Sequence, residues 1–284
     1  MNYKYRTYLY KTFSIFTDRV GYYLYHTLQN KLSKSTISLK IREAESSLQT
    51  IKTILDKNNV SLQNANIIEI GSGWVPLIPY LLILKGKAKR VDTYDINEHF
   101  NPTEIEHINH YYNVQQTTIS KKYKLLENVH YHPKTNVIDG DLSQADIVLS
   151  RFVLEHVPPG IIKQIHENFA KKLKSGSYVL HLISPSDHRS YSDSSLSLVD
   201  FLQYSQKEWD AIQTKFDYHN RLRLPQYLEI LGEHFEIIHL EHDNSKPGTN
   251  AYDKFKKVRL HQDFSNYSET EITAGSINIL LKKK

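Results

Sequence analysis

The chain has 284 residues, 39% hydrophobic and 24% charged, enough to enclose one sizeable core plus helical additions without staples. It contains no cysteine, which excludes disulfides, cysteine-based zinc sites and thiolate nucleophiles and fits a reducing, cytoplasmic setting. The formal net charge is +5, but residues 1–60 carry ten Lys and Arg against four Asp and Glu, so the rest is close to neutral. That distribution lacks the broad positive face that follows a phosphate backbone, and it disfavours a nucleic-acid partner.

Residues 3–31 are rich in aromatic side chains, including Tyr8, Tyr10, Phe13, Phe16, Tyr22, Tyr23 and Tyr25, interleaved with Lys4, Arg6, Lys11 and Arg19. This mixture is unlike the unbroken apolar core of a signal peptide. The longest strongly apolar run, residues 75–84, is interrupted by Pro76 and Pro79 and is well short of the roughly 18 to 20 residues that cross a bilayer. The expectation for the tyrosines is packing against a globular body, with peripheral contact to an anionic membrane surface as the alternative. Residues 38–57 follow with helical spacing through Ile41, Leu48, Ile51, Ile54 and Leu55.

Residues 67–70 form a short apolar run carrying one acid, Glu69, and stop at Gly71-Ser72-Gly73. A buried parallel strand entering a tight turn has this form, and the glycines let backbone approach a ligand closely. An apolar helix is expected over 75–84, closed by the basic stretch around Gly86. A second strand over 90–94 then delivers Asp95 to the carboxyl edge of the sheet, where open α/β folds bind ligands and a carboxylate can accept both hydroxyls of a ribose. A dinucleotide fingerprint would need glycine at position 76; Pro76 suits a helix's first turn and disfavours a nicotinamide enzyme.

The run Glu69-Ile70-Gly71-Ser72-Gly73-Trp74-Val75 resembles the first motif of the class I S-adenosylmethionine-dependent methyltransferases, with Val75 where a third glycine is frequent. Residues 146–158, DIVLSRFVLEHVP, look like the fourth-strand segment of the same family, a strand turning into a short helix. The resemblance spans residues 66 to about 182. It implies an α/β, Rossmann-like fold: a mostly parallel seven-stranded sheet with helices on both faces and an N-terminal helical extension. Residues 1–60 would be a lid and substrate wall, and 61–284 the catalytic domain. With S-adenosylmethionine as cofactor, Glu69, Gly71, Ser72 and Gly73 would surround its methionine part. Asp95 would hold the ribose with Ile96 beside it, and Ser150, Arg151 and Phe152 would line the methyl-transfer pocket. Residues 137–141 resemble the third-strand end, so Asp141 would face the adenine, with neighbouring Asp139 as the alternative.

Beyond a helix over 161–173 and a strand over 178–183, residues 184–191 form a polar loop at a strand's carboxyl end. His188 in that loop is the candidate general base for a hydroxyl acceptor, against a plain polar turn. His181, inside the strand, is expected in the core. A helix is expected over 198–216. In Asn220-Arg221-Leu222-Arg223, extended backbone would put Arg221 and Arg223 on one side to clamp an acceptor's phosphate or carboxylate; the alternative is that Arg221 anchors the C-terminal extension. A further helix over 226–231 and strands over 235–240 and 276–282 complete the pattern. His156 is expected to be structural, and the pairs His107/His110 and His130/His132 lack a third ligand, so no metal site is expected. The Asn-Arg-Leu-Arg stretch resembles methyltransferases of bacterial surface-polysaccharide gene clusters, implying a small polar acceptor such as a sugar hydroxyl. An RNA methyltransferase and a non-catalytic binding protein of this fold are the rival readings.

Overall fold

The computed structural model describes residues 3–17, 20–22, 24, 25, 27, 28, 36–120 and 122–284; Arg19, Tyr23 and Lys31 lie outside the described residues. The strands are β1 (Asn66–Ile70), β2 (Arg90–Asp95), β3 (Thr117–Ser120), β4 (Tyr123–Leu126), β5 (Val129–Pro133), β6 (Ile147–Arg151), β7 (Tyr178–Ile183), β8 (Phe235–His242) and β9 (Ile277–Lys283). Seven of them form one sheet in the order β5-β2-β1-β6-β7-β9-β8. The first five run parallel, and β9 is antiparallel to both its neighbours. Strand order reverses between β1 and β6, so the crevice outside their carboxyl ends is the ligand position that this topology creates.

Side chains alternate between two cores, as the pleat requires. On one face Ile67, Val91 and Leu149 pack with Ile41, Ile51 and Ile54 of α2 (Ile37–Lys57) and Leu81 of α3 (Leu77–Leu84). On the other, Ile68, Val148 and Val179 meet Ile162 and Phe169 of α4 (Pro159–Lys172) and Tyr227 of α5 (Leu224–Gly232). Each such aliphatic side chain, fully buried, contributes about 1.5–3 kcal/mol, so the sheet edge that carries the site is rigid. Helix α2 begins at Thr36, whose hydroxyl accepts from the Leu39 N–H.

Two sequence expectations shift. The strand expected to end at 137–141 is Val129–Pro133, and Val137–Asp139 is a single 3₁₀ turn. This is an edge strand, paired only with β2, so its partly exposed His130 and His132 hide the apolar signal; His132 Nε2 lies 2.8 Å from Asp92 Oδ1. The polar stretch before it holds the hairpin β3–β4. The helix expected over 198–216 divides into a 3₁₀ turn, Asp200–Gln203, and a helix, Gln206–Ile212, because Ser205 and Glu208 form a capping box that starts the chain afresh.

The N-terminal helix Tyr3–Ser14 sits against the C-terminal half: Lys11 Nζ donates to the Ala211 carbonyl at 2.6 Å, and buried Tyr10 lies 6.2 Å, ring to ring, from Phe216. Among the described residues, no helix is long and apolar enough to cross a membrane.

Candidate functional site

The chain leaves β1 through a bend that only glycine adopts cheaply. Gly71 has φ +77° and Gly73 φ +62°, both in the left-handed region that costs other residues about 1–2 kcal/mol. The Gly71 N–H donates to the Tyr94 carbonyl at 2.8 Å, tying the bend to the end of β2. Asp95, the last residue of β2, lies directly under the bend. Its Oδ2 accepts from Ser72 Oγ at 3.2 Å and its Oδ1 from the Asn97 N–H at 2.8 Å, with a further bond from the Gly73 N–H. Burial raises the Asp95 pKa against the pull of these bonds, and the side chain keeps 10% of its surface. A methyl placed at Gly73 would meet nothing within 4 Å, so the bend faces open space.

That space is a cleft of about 550 Å³, a volume suited to a nucleoside-sized ligand. The bend 71–75 forms one side; Lys40, Glu43 and Ala44 of α2 form another; residues 98–102 after β2, with Arg151 at the end of β6, close it. Trp74 stacks on His99 with ring centroids 5.0 Å apart, beside the Asp95 carboxylate. Glu69 lies in the floor. Its Oε2 accepts from Thr93 Oγ1 at 2.5 Å, and burial pushes its carboxyl up to about 8 despite the nearby Arg151 guanidinium. Arg151 Nε donates to Ser47 Oγ at 2.6 Å, and its guanidinium lies 4.4 Å from the Phe152 ring. Phe152 itself has φ +56°, and a non-glycine residue held in that region at a sheet's carboxyl edge marks stored local strain.

Neither a family model nor a curated protein matches the sequence. Solved structures do. Magnesium protoporphyrin IX methyltransferase (ChlM) from Synechocystis PCC 6803, with bound SAH, superposes with a TM-score of 0.50 at 12% identity, covering 89% of each chain. The N-methyltransferase NodS from Bradyrhizobium japonicum WM9, in complex with S-adenosyl-L-homocysteine, gives 0.47 at 12% identity over 97% of this chain and 98% of its own. A SAM-dependent methyltransferase from Methanosarcina mazei gives 0.47 at 16% over 81% and 96%. The protein has the class I methyltransferase fold. At such identities the shared property is the fold, and the chemistry must be argued from this chain's own residues.

Within the methyltransferase fold, Glu69, Gly71, Ser72, Gly73 and Arg151 line one cleft, with Asp95 beneath the bend. Ile96 is 72% exposed and Phe152 42% exposed, and neither lines the cleft. Asp141 is displaced from its expected place, because β5 ends at Pro133 and the chain has already turned away. Asp141 is exposed, accepting locally from the Ser143 N–H at 3.0 Å, while the position next to Asp95 is taken by Thr135, whose N–H donates to the Asp95 carbonyl. Asp139 lies in the 3₁₀ turn, also outside the cleft. Ser150 points into the core: its Oγ lies 2.7 Å from His181 Nδ1, and His181 Nε2 lies 3.0 Å from His166 Nε2.

The arginine pair is structural. Arg221 has φ +60°, so the stretch is not extended. Its guanidinium donates to the carbonyls of Phe201 and Tyr204 and to Gln206 Oε1. Fully buried Arg223 donates to the carbonyls of Arg221, Ile272 and Pro185. With these donors committed to the protein, the two side chains present no fork to an acceptor; they fasten the C-terminal segment.

A second cavity, of about 250 Å³, opens further along the carboxyl edge, beyond β6 and β7. It is lined by Arg6, Tyr10 and Tyr25 from the N-terminal segment and by His156, His188, Arg189, Trp209 and His219. His188 therefore lies here and not in the first cleft; burial brings its pKa down to about 4. Sequence reasoning missed Lys40, Glu43 and Ala44, although their i, i+3 and i+4 spacing on a predicted helix places them on one face.

Proposed function

We propose that the protein is a cytoplasmic S-adenosylmethionine-dependent methyltransferase acting on a small polar acceptor, with a sugar hydroxyl of the surface-polysaccharide type as the leading class. The observation that carries this reading is the Gly71-Ser72-Gly73 bend facing an open cleft, with Asp95 fastened beneath it. S-adenosylmethionine brings the activated methyl group on its sulfonium. The bend offers backbone without side-chain obstruction to its methionine part. Asp95, reached past Ser72, is the acceptor for a ribose diol. Glu69, kept protonated by burial at neutral pH, adds no full negative charge to the floor. Residues 1–60 act as a wall, α2 closing the first cleft and Tyr10 and Tyr25 closing the second cavity. The second cavity is the place for the acceptor, and its three histidines do not favour a lone His188 base. Methyl transfer is an in-line displacement in which positioning supplies up to about 7–11 kcal/mol, and two cavities on the carboxyl edge of one sheet suit that task.

Calorimetry with S-adenosylhomocysteine tests the reading. One ligand per chain is expected; a folded sample that takes up none overturns it.

A further inference from the structure

Three histidines from separate elements meet in the second cavity. His156 ends the 3₁₀ turn after β6, His188 opens the turn after β7, and His219 stands in the irregular segment before α5. Ring centroids are 5.0 Å apart for His156 and His188, 5.3 Å for His156 and His219, and 4.6 Å for His188 and His219. One nitrogen from each ring lies within 4.8 Å of the others. Zinc holds imidazole nitrogens at about 2.0–2.1 Å and so tetrahedral pairs about 3.4 Å apart; closing on an ion would draw the nitrogens together by up to about 1.4 Å.

The hydrogen bonding leaves lone pairs to spare. His156 Nδ1 donates to the Tyr218 carbonyl at 2.9 Å, which puts the lone pair on Nε2. The buried Nε2 of His188 has no partner among the described residues. His219 is 3% exposed, and neither of its ring nitrogens has a partner among the described residues. A buried polar atom without a partner costs about 1–3 kcal/mol, and here several such atoms gather in one place. Ring nitrogens anchored to backbone carbonyls are the usual outer support of ligating histidines.

We propose that His156, His188 and His219 form a three-histidine site for a divalent transition cation, zinc foremost, with a fourth position open to the cavity. An all-imidazole donor set suits zinc, copper, nickel or iron and not magnesium or calcium, which take oxygen. Three protein ligands plus an open position is the arrangement of catalytic zinc. If the methyl-transfer reading holds, the ion's task is to bind the acceptor hydroxyl as its anion: the O–H bond breaks, the proton goes to solvent water, and the oxygen is held for attack. The cation site itself does not depend on that reading.

The test uses the full chain, freed of metal with a chelator and titrated with Zn²⁺ in competition with a chromophoric chelator, then with Co²⁺ followed by visible absorption. The expected result is one ion per chain and cobalt bands of tetrahedral strength. His156→Ala, at the exposed rim, should weaken binding on the order of 100-fold and abolish the bands, whereas His110→Ala, an exposed histidine elsewhere, should change neither. Zn²⁺ should also raise the wild-type melting temperature, a readout that requires no variant. Wild-type protein that binds no stoichiometric ion, binds no better than His156→Ala, or gains no thermal stability overturns the site. None of these readouts involves S-adenosylmethionine, so failure here and failure of the methyltransferase reading are separable.

Discussion

Gly71 and Val153 face each other so closely across the β1–β6 exit that a methyl on Gly71 would lie 2.4 Å from Val153 Cγ2. A methyl on Gly73, two residues on, would meet nothing within 4 Å. Gly71→Ala should therefore cost about 2–5 kcal/mol of folding stability, from left-handed strain plus overpacking. Gly73→Ala should cost only about 1–2 kcal/mol but place its methyl where a ligand would approach, weakening S-adenosylhomocysteine binding in the folded protein. Urea unfolding and calorimetry should rank the two variants oppositely.

Asp95 is held by Ser72, Gly73 and Asn97, so it is positioned before any ligand arrives. Asp95→Ala should weaken S-adenosylhomocysteine binding by about 1–3 kcal/mol, roughly 5- to 150-fold. Unchanged affinity by calorimetry, with the fold intact, would remove Asp95 from the site.

Glu69 reverses the usual carboxylate linkage. Its folded-state pKa is raised to about 8 by burial, above the ordinary value of 4.5. Between those values the folded chain keeps a proton that the unfolded chain has lost, so stability falls as pH rises through this window and is unaffected below it. Glu69→Gln keeps an acceptor for Thr93 and does not titrate. Urea midpoints should show the variant gaining on wild type from about pH 5 to about pH 8, by a few kcal/mol at the upper end. Equal pH profiles would show that Glu69 ionises freely. Glu155, buried and also raised to about 8, should leave a residual slope that Glu155→Gln removes.

Arg223→Met separates anchoring from acceptor binding. Three backbone carbonyls lose their donor, which should cost about 3 kcal/mol or more in urea unfolding. Affinity for S-adenosylhomocysteine in the folded fraction should be unaltered. A stable variant would show that the guanidinium is not the anchor its hydrogen bonds describe.

The amino-acid order alone was enough to reveal β1, the glycine bend, β2 and Asp95, because strand periodicity, turn chemistry and the ligand-bearing carboxyl edge are written in neighbouring residues. It also located the helix over α2 and strand β7 closely. It misplaced β5, whose partial exposure follows from lying at the sheet's edge; it left Arg221 and Arg223 open between a clamp for an acceptor and, for Arg221, an anchor of the C-terminal extension, and protein carbonyls claim both side chains. Ser150 was placed in the pocket by the family resemblance alone; its bond to His181 comes from β6 and β7 standing in register. His156, His188 and His219 carry no spacing signal whatever. Folding places three loop ends together at one edge of the sheet, and buried nitrogens left without hydrogen-bond partners become recognisable only when all their neighbours are known.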